Sequence, residues 1–182
     1  MQKSTLYITG RGGDHTKGLG GYLSTLVTDY HGVSVDVPFL KKDIDQQIKI
    51  IRNAISDRFV GTVIANSYGA YLTLLSLIDF DHQLDQVVLL SPVLGRAIAK
   101  DRMYFSRPPA TARLDKALKT RSINFPKNTS IYIGDDDELF DSELLSKYSE
   151  IIGEQRVFVL HGQKHNIDQN VMQDILKTVL QL

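Results

Sequence analysis

The chain has 182 residues, 42% of them hydrophobic and 23% charged, which suits one soluble domain with a sizeable core. Lysine plus arginine number 21, as do aspartate plus glutamate, so the overall charge points to no nucleic-acid partner. There is no cysteine, which excludes disulfides, thiolate metal sites and a thiol nucleophile.

Short apolar, β-branched runs recur at 6–9, 33–37, 60–65, 86–90, 130–134 and 156–160. Amphipathic stretches separate them, the pattern of buried parallel strands joined by crossover helices. A first helix is expected between Gly20 and Tyr30, weakened by its glycines. The next carries Ile44, Ile48, Ile51 and Ile55 on one stripe, with Asp43 and Gln46 as its N-terminal capping pair. The stretch 70–78 is apolar nearly all round, as in a helix packed deep in the fold. Two more helices are predicted over 139–152 and from Asn166 onward, the latter with Gln169 as its capping partner. One irregular stretch, 91–128, contains four prolines and nine basic residues against two acidic ones, and reads as a small basic, lid-like insertion into a single domain spanning 1–182. The opening run 6–9 is too short for a signal-peptide core, and no run reaches the ~18 apolar residues that span a bilayer. A cytoplasmic protein without membrane contacts is therefore expected.

In an open parallel sheet, sites form at the carboxyl edge of the strands. Loops that leave a strand are eligible; loops that enter one lie at the wrong edge. The third predicted strand runs directly into Asn66-Ser67-Tyr68-Gly69-Ala70 and then into the apolar helix. This is the strand–turn–helix setting of a nucleophile elbow. A serine on such a turn projects its hydroxyl clear of the sheet, while the small residues Ala65 and Gly69 let strand and helix pack closely. It also sits at a helix N-terminus, where unpaired N–H groups can hold an oxyanion, and the N–H of Tyr68 is the first donor. The competing role for Ser67 is a plain N-cap.

Of five histidines, His31 and His82 precede predicted strands, whereas His15, His161 and His165 follow them. His165 is favoured over His161 as general base, because it lies on the loop between the sixth strand and the last helix. The fifth strand ends in Asp135-Asp136-Asp137-Glu138, from which a carboxylate can orient the imidazole. The run lacks the alternating spacing and glycine of a calcium loop, and no metal or other cofactor is expected. Neither glycine cluster, 10–13 or 18–21, matches the phosphate-binding or dinucleotide fingerprints.

Ser67, the acidic run and His165 thus follow three separate strands at one edge, in the chain order Ser, acid, His. In this the sequence resembles the α/β-hydrolase superfamily over nearly its whole length, in its compact, largely capless form. The resemblance implies an open, mostly parallel six-stranded sheet of order 2-1-3-4-5-6 with helices on both faces. The family's Gly-x-x-Asp falls on Gly134 and Asp137, which implies Asp137 as the acid, and its Gly-x-x-His-like segment on Gly162 and His165. It further implies Arg11 as the second oxyanion donor, in a loop that reads Thr9-Gly10-Arg11 where members often carry His-Gly. Gly10, Asn66, Tyr104 and Phe105 are candidate substrate contacts, the two aromatic residues having core packing as their competing role. The implied activity is that of a serine hydrolase, a carboxylesterase acting on a small acyl ester through an acyl-enzyme. Acyl transfer or thioester hydrolysis by the same residues is the second reading, and a non-catalytic binding protein on the same fold the third.

Overall fold

The structure, a computed structural model, describes residues 4–56, 60–95 and 108–182. Six strands form one sheet: β1 (Ser4–Ile8), β2 (Tyr30–Val33), β3 (Val60–Asn66), β4 (Gln86–Leu90), β5 (Asn128–Gly134) and β6 (Val157–Leu160). Their order is β2-β1-β3-β4-β5-β6 and every neighbouring pair is parallel, as the sequence leads one to expect. The chain steps from β1 to β2 on one side and then to β3 on the other, so the carboxyl ends of β1 and β3 flank the topological switch point.

Among the described residues seven α-helices flank the sheet: α1 (Gly18–Leu26), α2 (Val37–Leu40), α3 (Ile44–Ser56), α4 (Tyr68–Ser76), α5 (Thr111–Thr120), α6 (Ser142–Ile152) and α7 (Gln169–Leu180). Alternate strand residues face opposite ways and build two separate cores. Leu6, Ile8, Val63, Ala65, Val87, Leu89, Ile131 and Ile133 pack with residues of α3, α4, α5 and α6. Tyr7, Ile64, Val88, Leu90 and Tyr132 pack with Leu23 of α1 and with Met172, Ile175, Leu176 and Val179 of α7. Every residue of α4 is buried, which explains its all-round apolar sequence.

Local chemistry moves several element boundaries. β2 ends at Val33, short of the expected 33–37, because the Asp36 carboxylate accepts from Phe39 N–H at 2.9 Å and caps α2, with Pro38 in its first turn. His31 consequently lies within β2 and pairs with Asp29. α6 starts at Ser142, where Asp141 accepts from Leu144 N–H at 3.0 Å, and α7 starts at Gln169 after Asp168, three residues beyond the expected Asn166. The Asp43 cap of α3 stands, accepting from Gln46 N–H at 2.8 Å. Within the irregular stretch, α5 buries Leu114, Ala117 and Leu118 in the first core.

Candidate active site

Ser67 occupies the step from β3 to α4 with φ 52° and ψ −116°, a backbone region that L-residues seldom enter. The turn is held from outside. Ser67 N–H donates to the Leu90 carbonyl at 2.9 Å, and Val93 N–H donates to the Ser67 carbonyl at 3.3 Å. Close approach of β1 requires the small residue at 69, since a Cβ there would overlap the carbonyl of Thr9 and crowd that of Ile8. A Cβ on Gly10 would stand 3.3 Å from the Ser67 Cβ, so a side chain there would crowd the serine.

The Ser67 hydroxyl lies 2.8 Å from His165 Nε2. On its other side, His165 Nδ1 is 2.9 Å from Asp137 Oδ2 and 3.1 Å from Oδ1. With the proton on Nδ1, the ring donates to Asp137 and accepts from Ser67, and both contacts are satisfied together. The Asp137 side chain is wholly buried, and its Oδ1 also accepts from Leu139 N–H at 2.8 Å. Burial draws the His165 pKa down. The hydrogen bond and charge of Asp137, with a further contribution from Glu138, outweigh it and leave the pKa raised above 6.5.

The acidic run divides its work. Asp135 faces away from His165: its Oδ1 accepts from Gly162 N–H at 2.7 Å and its Oδ2 lies 2.8 Å from His161 Nδ1. That pair is open to solvent, with the His161 side chain 99% exposed. The hydrogen bond to His161 and the Gly162 N–H lower the Asp135 pKa, and the same contact raises that of His161. Asp136 contributes its N–H, donated to the Gln163 carbonyl at 3.1 Å. The Gln163 side chain then exchanges two hydrogen bonds with Asp168, at the N-terminus of α7. The loop bearing His165 is thereby fastened at both ends. His15, a third candidate beside the sheet edge, is engaged elsewhere: its Nδ1 lies 2.8 Å from Ser34 Oγ, and Tyr30 donates to its carbonyl at 2.6 Å.

No family model and no curated protein sequence matches the chain. Solved structures do. A monoacylglycerol lipase of Paleococcus ferrophilus superposes with a TM-score of 0.69 at 14% identity, covering 97% of this chain and 92% of the lipase. A protein of Xanthomonas campestris pv. campestris described as a hydrolase of the α/β superfamily gives 0.67 at 10% identity, over 98% and 97% of the two chains. Esterase PE8 gives 0.65 at 14% identity, over 98% and 92%. The chain has the α/β-hydrolase fold.

On this hydrolase fold the β1–α1 loop and the N-terminus of α7 enclose two adjoining hollows beside Ser67. One, of about 530 Å³, is lined by Thr9, Gly10, Arg11, Asn66, Ser67 and His165 together with Asp14 and Lys17. The other, of about 350 Å³, runs between α1 and α7 and shares Gly18, Leu19, Asn66, His165 and Asn166 with the first. Tyr68 opens α4, so its N–H is one of the four that a helix cannot bond internally. The Arg11 guanidinium lies 6.0 Å from the centre of the Tyr68 ring, within cation–π range. Tyr104 and Phe105 lie outside the described residues. Sequence reasoning missed Tyr7, which lines the larger hollow beneath Asn66; burial raises its pKa well above the ordinary phenol value. A tyrosine on a buried strand reads as core, and only the structure reveals that it also reaches the site. Among the described residues no cluster of three or more metal-ligating side chains occurs, and no helix is long and apolar enough to cross a membrane.

Proposed function

We propose that the protein is a serine hydrolase that cleaves small carboxylic esters through an acyl-enzyme on Ser67. The observation that carries this reading is the unbroken hydrogen-bonded chain from the Ser67 hydroxyl through His165 to buried Asp137. His165 takes the Ser67 proton as the oxygen attacks the ester carbonyl. Asp137 holds the imidazole in the tautomer that accepts this proton and stabilises the imidazolium that results. The N–H groups of Tyr68 and Arg11 receive the negative charge on the carbonyl oxygen. His165 then gives its proton to the departing alcohol, activates a water, and returns the serine. Likeness to lipases and esterases in solved structures supports an ester substrate.

A fluorophosphonate probe tests the proposal. It should label the folded protein, and labelling should vanish in Ser67→Ala together with hydrolysis of p-nitrophenyl acetate. A folded wild-type protein that neither labels nor hydrolyses simple esters would overturn it.

A further inference from the structure

Resting on the hydrolase reading, we infer that the groove between α1 and α7 is the leaving-alcohol subsite, built for an uncharged aliphatic alcohol. The two hollows beside Ser67 differ in what they touch. The larger holds Ser67 and the Gly10–Arg11 turn; the groove holds neither, yet both are walled by His165. In acylation the carbonyl oxygen must point to the Tyr68 and Arg11 N–H groups, and the departing oxygen must lie within hydrogen-bond reach of His165 Nε2. The half of the ester attached to that oxygen therefore extends past His165, away from the oxyanion loop. The groove begins there.

Its chemistry names the occupant. Leu19 and Tyr22 of α1 face Ile167 and Met172 across it, and among the described residues no Asp, Glu, Lys or Arg lines it. The larger hollow, by contrast, carries Arg11, Asp14 and Lys17. A charged alcohol such as a phosphorylated one would lose water in the groove without gaining a partner. Carboxamides of Asn166, Gln169 and Gln173 rim the groove and can bond a polar end. About 350 Å³ holds roughly a dozen atoms at the ~30 Å³ that a water occupies, enough for an alkyl chain of about six carbons.

The step balances in both directions. In acylation the bond from Ser67 Oγ to the carbonyl carbon forms, the bond from that carbon to the alkoxy oxygen breaks, and the serine proton passes through His165 to the alcohol. In reverse, an alcohol held in the groove gives its proton to His165, attacks the acyl carbon and releases Ser67. The protein should therefore transfer acyl groups to a neutral alcohol in competition with water.

The experiment compares methyl acetate, hexyl acetate and methyl hexanoate on the wild type and on Ile167→Trp, at a position that lines the groove and not the larger hollow, where an indole would fill the groove. The kcat/KM ratio of hexyl acetate to methyl acetate should fall about tenfold or more, and the ratio of methyl hexanoate to methyl acetate should hold. In wild type, added 1-butanol should yield butyl acetate saturably, and Ile167→Trp should suppress it. If Ile167→Trp does not fold, Ile167→Ala must show the opposite change, favouring bulkier alcohols. A shift confined to methyl hexanoate would assign the groove to the acyl chain, and no shift in either ratio would empty it of a role; both overturn the inference. Failure of the wild type to react with a fluorophosphonate would instead remove the hydrolase reading beneath it.

Discussion

The carbonyl oxygen of Gln163 rests against the bare Cα of Gly134, where a Cβ would overlap it. With the Asp135–Gly162 and Asp136–Gln163 hydrogen bonds, this contact seats the His165 loop on the end of β5.

Gly134→Ala should therefore cost activity out of proportion to stability. Backbone on backbone cannot give way as a flexible side chain would, so the loop must lift. Overpacking of this kind costs about 1–3 kcal/mol in stability. Displacing His165 by about 1 Å should lower kcat/KM on the order of 10²-fold. Thermal melts beside ester kinetics check this, and equal kinetics in the two proteins would refute it. Asp135→Ala, which loses both the Gly162 and His161 contacts, should shift kcat in the same direction.

The pH dependence follows from the raised His165 pKa. In the proposed mechanism the neutral imidazole is the active form, so kcat/KM should climb with pH through a midpoint above 6.5. Stability has the opposite sign. The imidazolium is favoured in the folded state, so its contribution is full below about pH 6.5 and is lost as pH rises through the raised value. Asp137→Asn removes the hydrogen bond to a charged partner and leaves burial opposed by the smaller effect of Glu138, which moves the midpoint to lower pH. It should also cost on the order of 10³–10⁴ in kcat. A pH–rate profile of both proteins checks position and height together.

Strain at Ser67 should be measurable. Holding a non-glycine residue at φ 52°, ψ −116° costs about 1–3 kcal/mol, whereas a glycine loses roughly 0.5–1 kcal/mol more in chain entropy than alanine. Strain relief is the larger effect, so Ser67→Gly should melt at a higher temperature than Ser67→Ala, with both inactive. Calorimetry of the pair decides it; the reverse order would mean that the turn is relaxed.

At position 69 the restriction is packing alone, for Gly69 lies inside α4 and not in a left-handed turn. Gly69→Ala would drive a methyl group into the Thr9 and Ile8 carbonyls and separate β1 from the helix. We expect a loss of at least about 1–3 kcal/mol, read from urea denaturation, despite alanine's better helix propensity.

Much of this arrangement was legible in the sequence. Ser67 was readable because its motif is local: a strand, a turn of small neighbours and a helix succeed one another within a dozen residues. The sheet order followed from the resemblance and the strand count. Choosing Asp137 from three consecutive aspartates needed the family spacing, since periodicity cannot say which carboxylate turns inward. What sequence could not supply was contact across the loops. The Asp135–Gly162 bond joins residues 27 apart, and the Gly134–Gln163 approach leaves no trace beyond a glycine that the family spacing marks without explaining. The strand expected over 33–37 runs past the end of β2 because that stretch is rich in valine, a strong strand signal, while the Asp36 cap and Pro38 of α2 are weaker cues.

Ser67 and His165 hang from opposite sides of the sheet. The helix that follows the hydroxyl is sunk in one apolar layer, and the helix that follows the imidazole is sunk in the other. Neither layer owns the chemistry. A disturbance confined to α7 would retract the imidazole while the turn at Ser67 kept its shape, so, on the proposed function, a turnover assay on this molecule doubles as a gauge of how well its two halves stay in register.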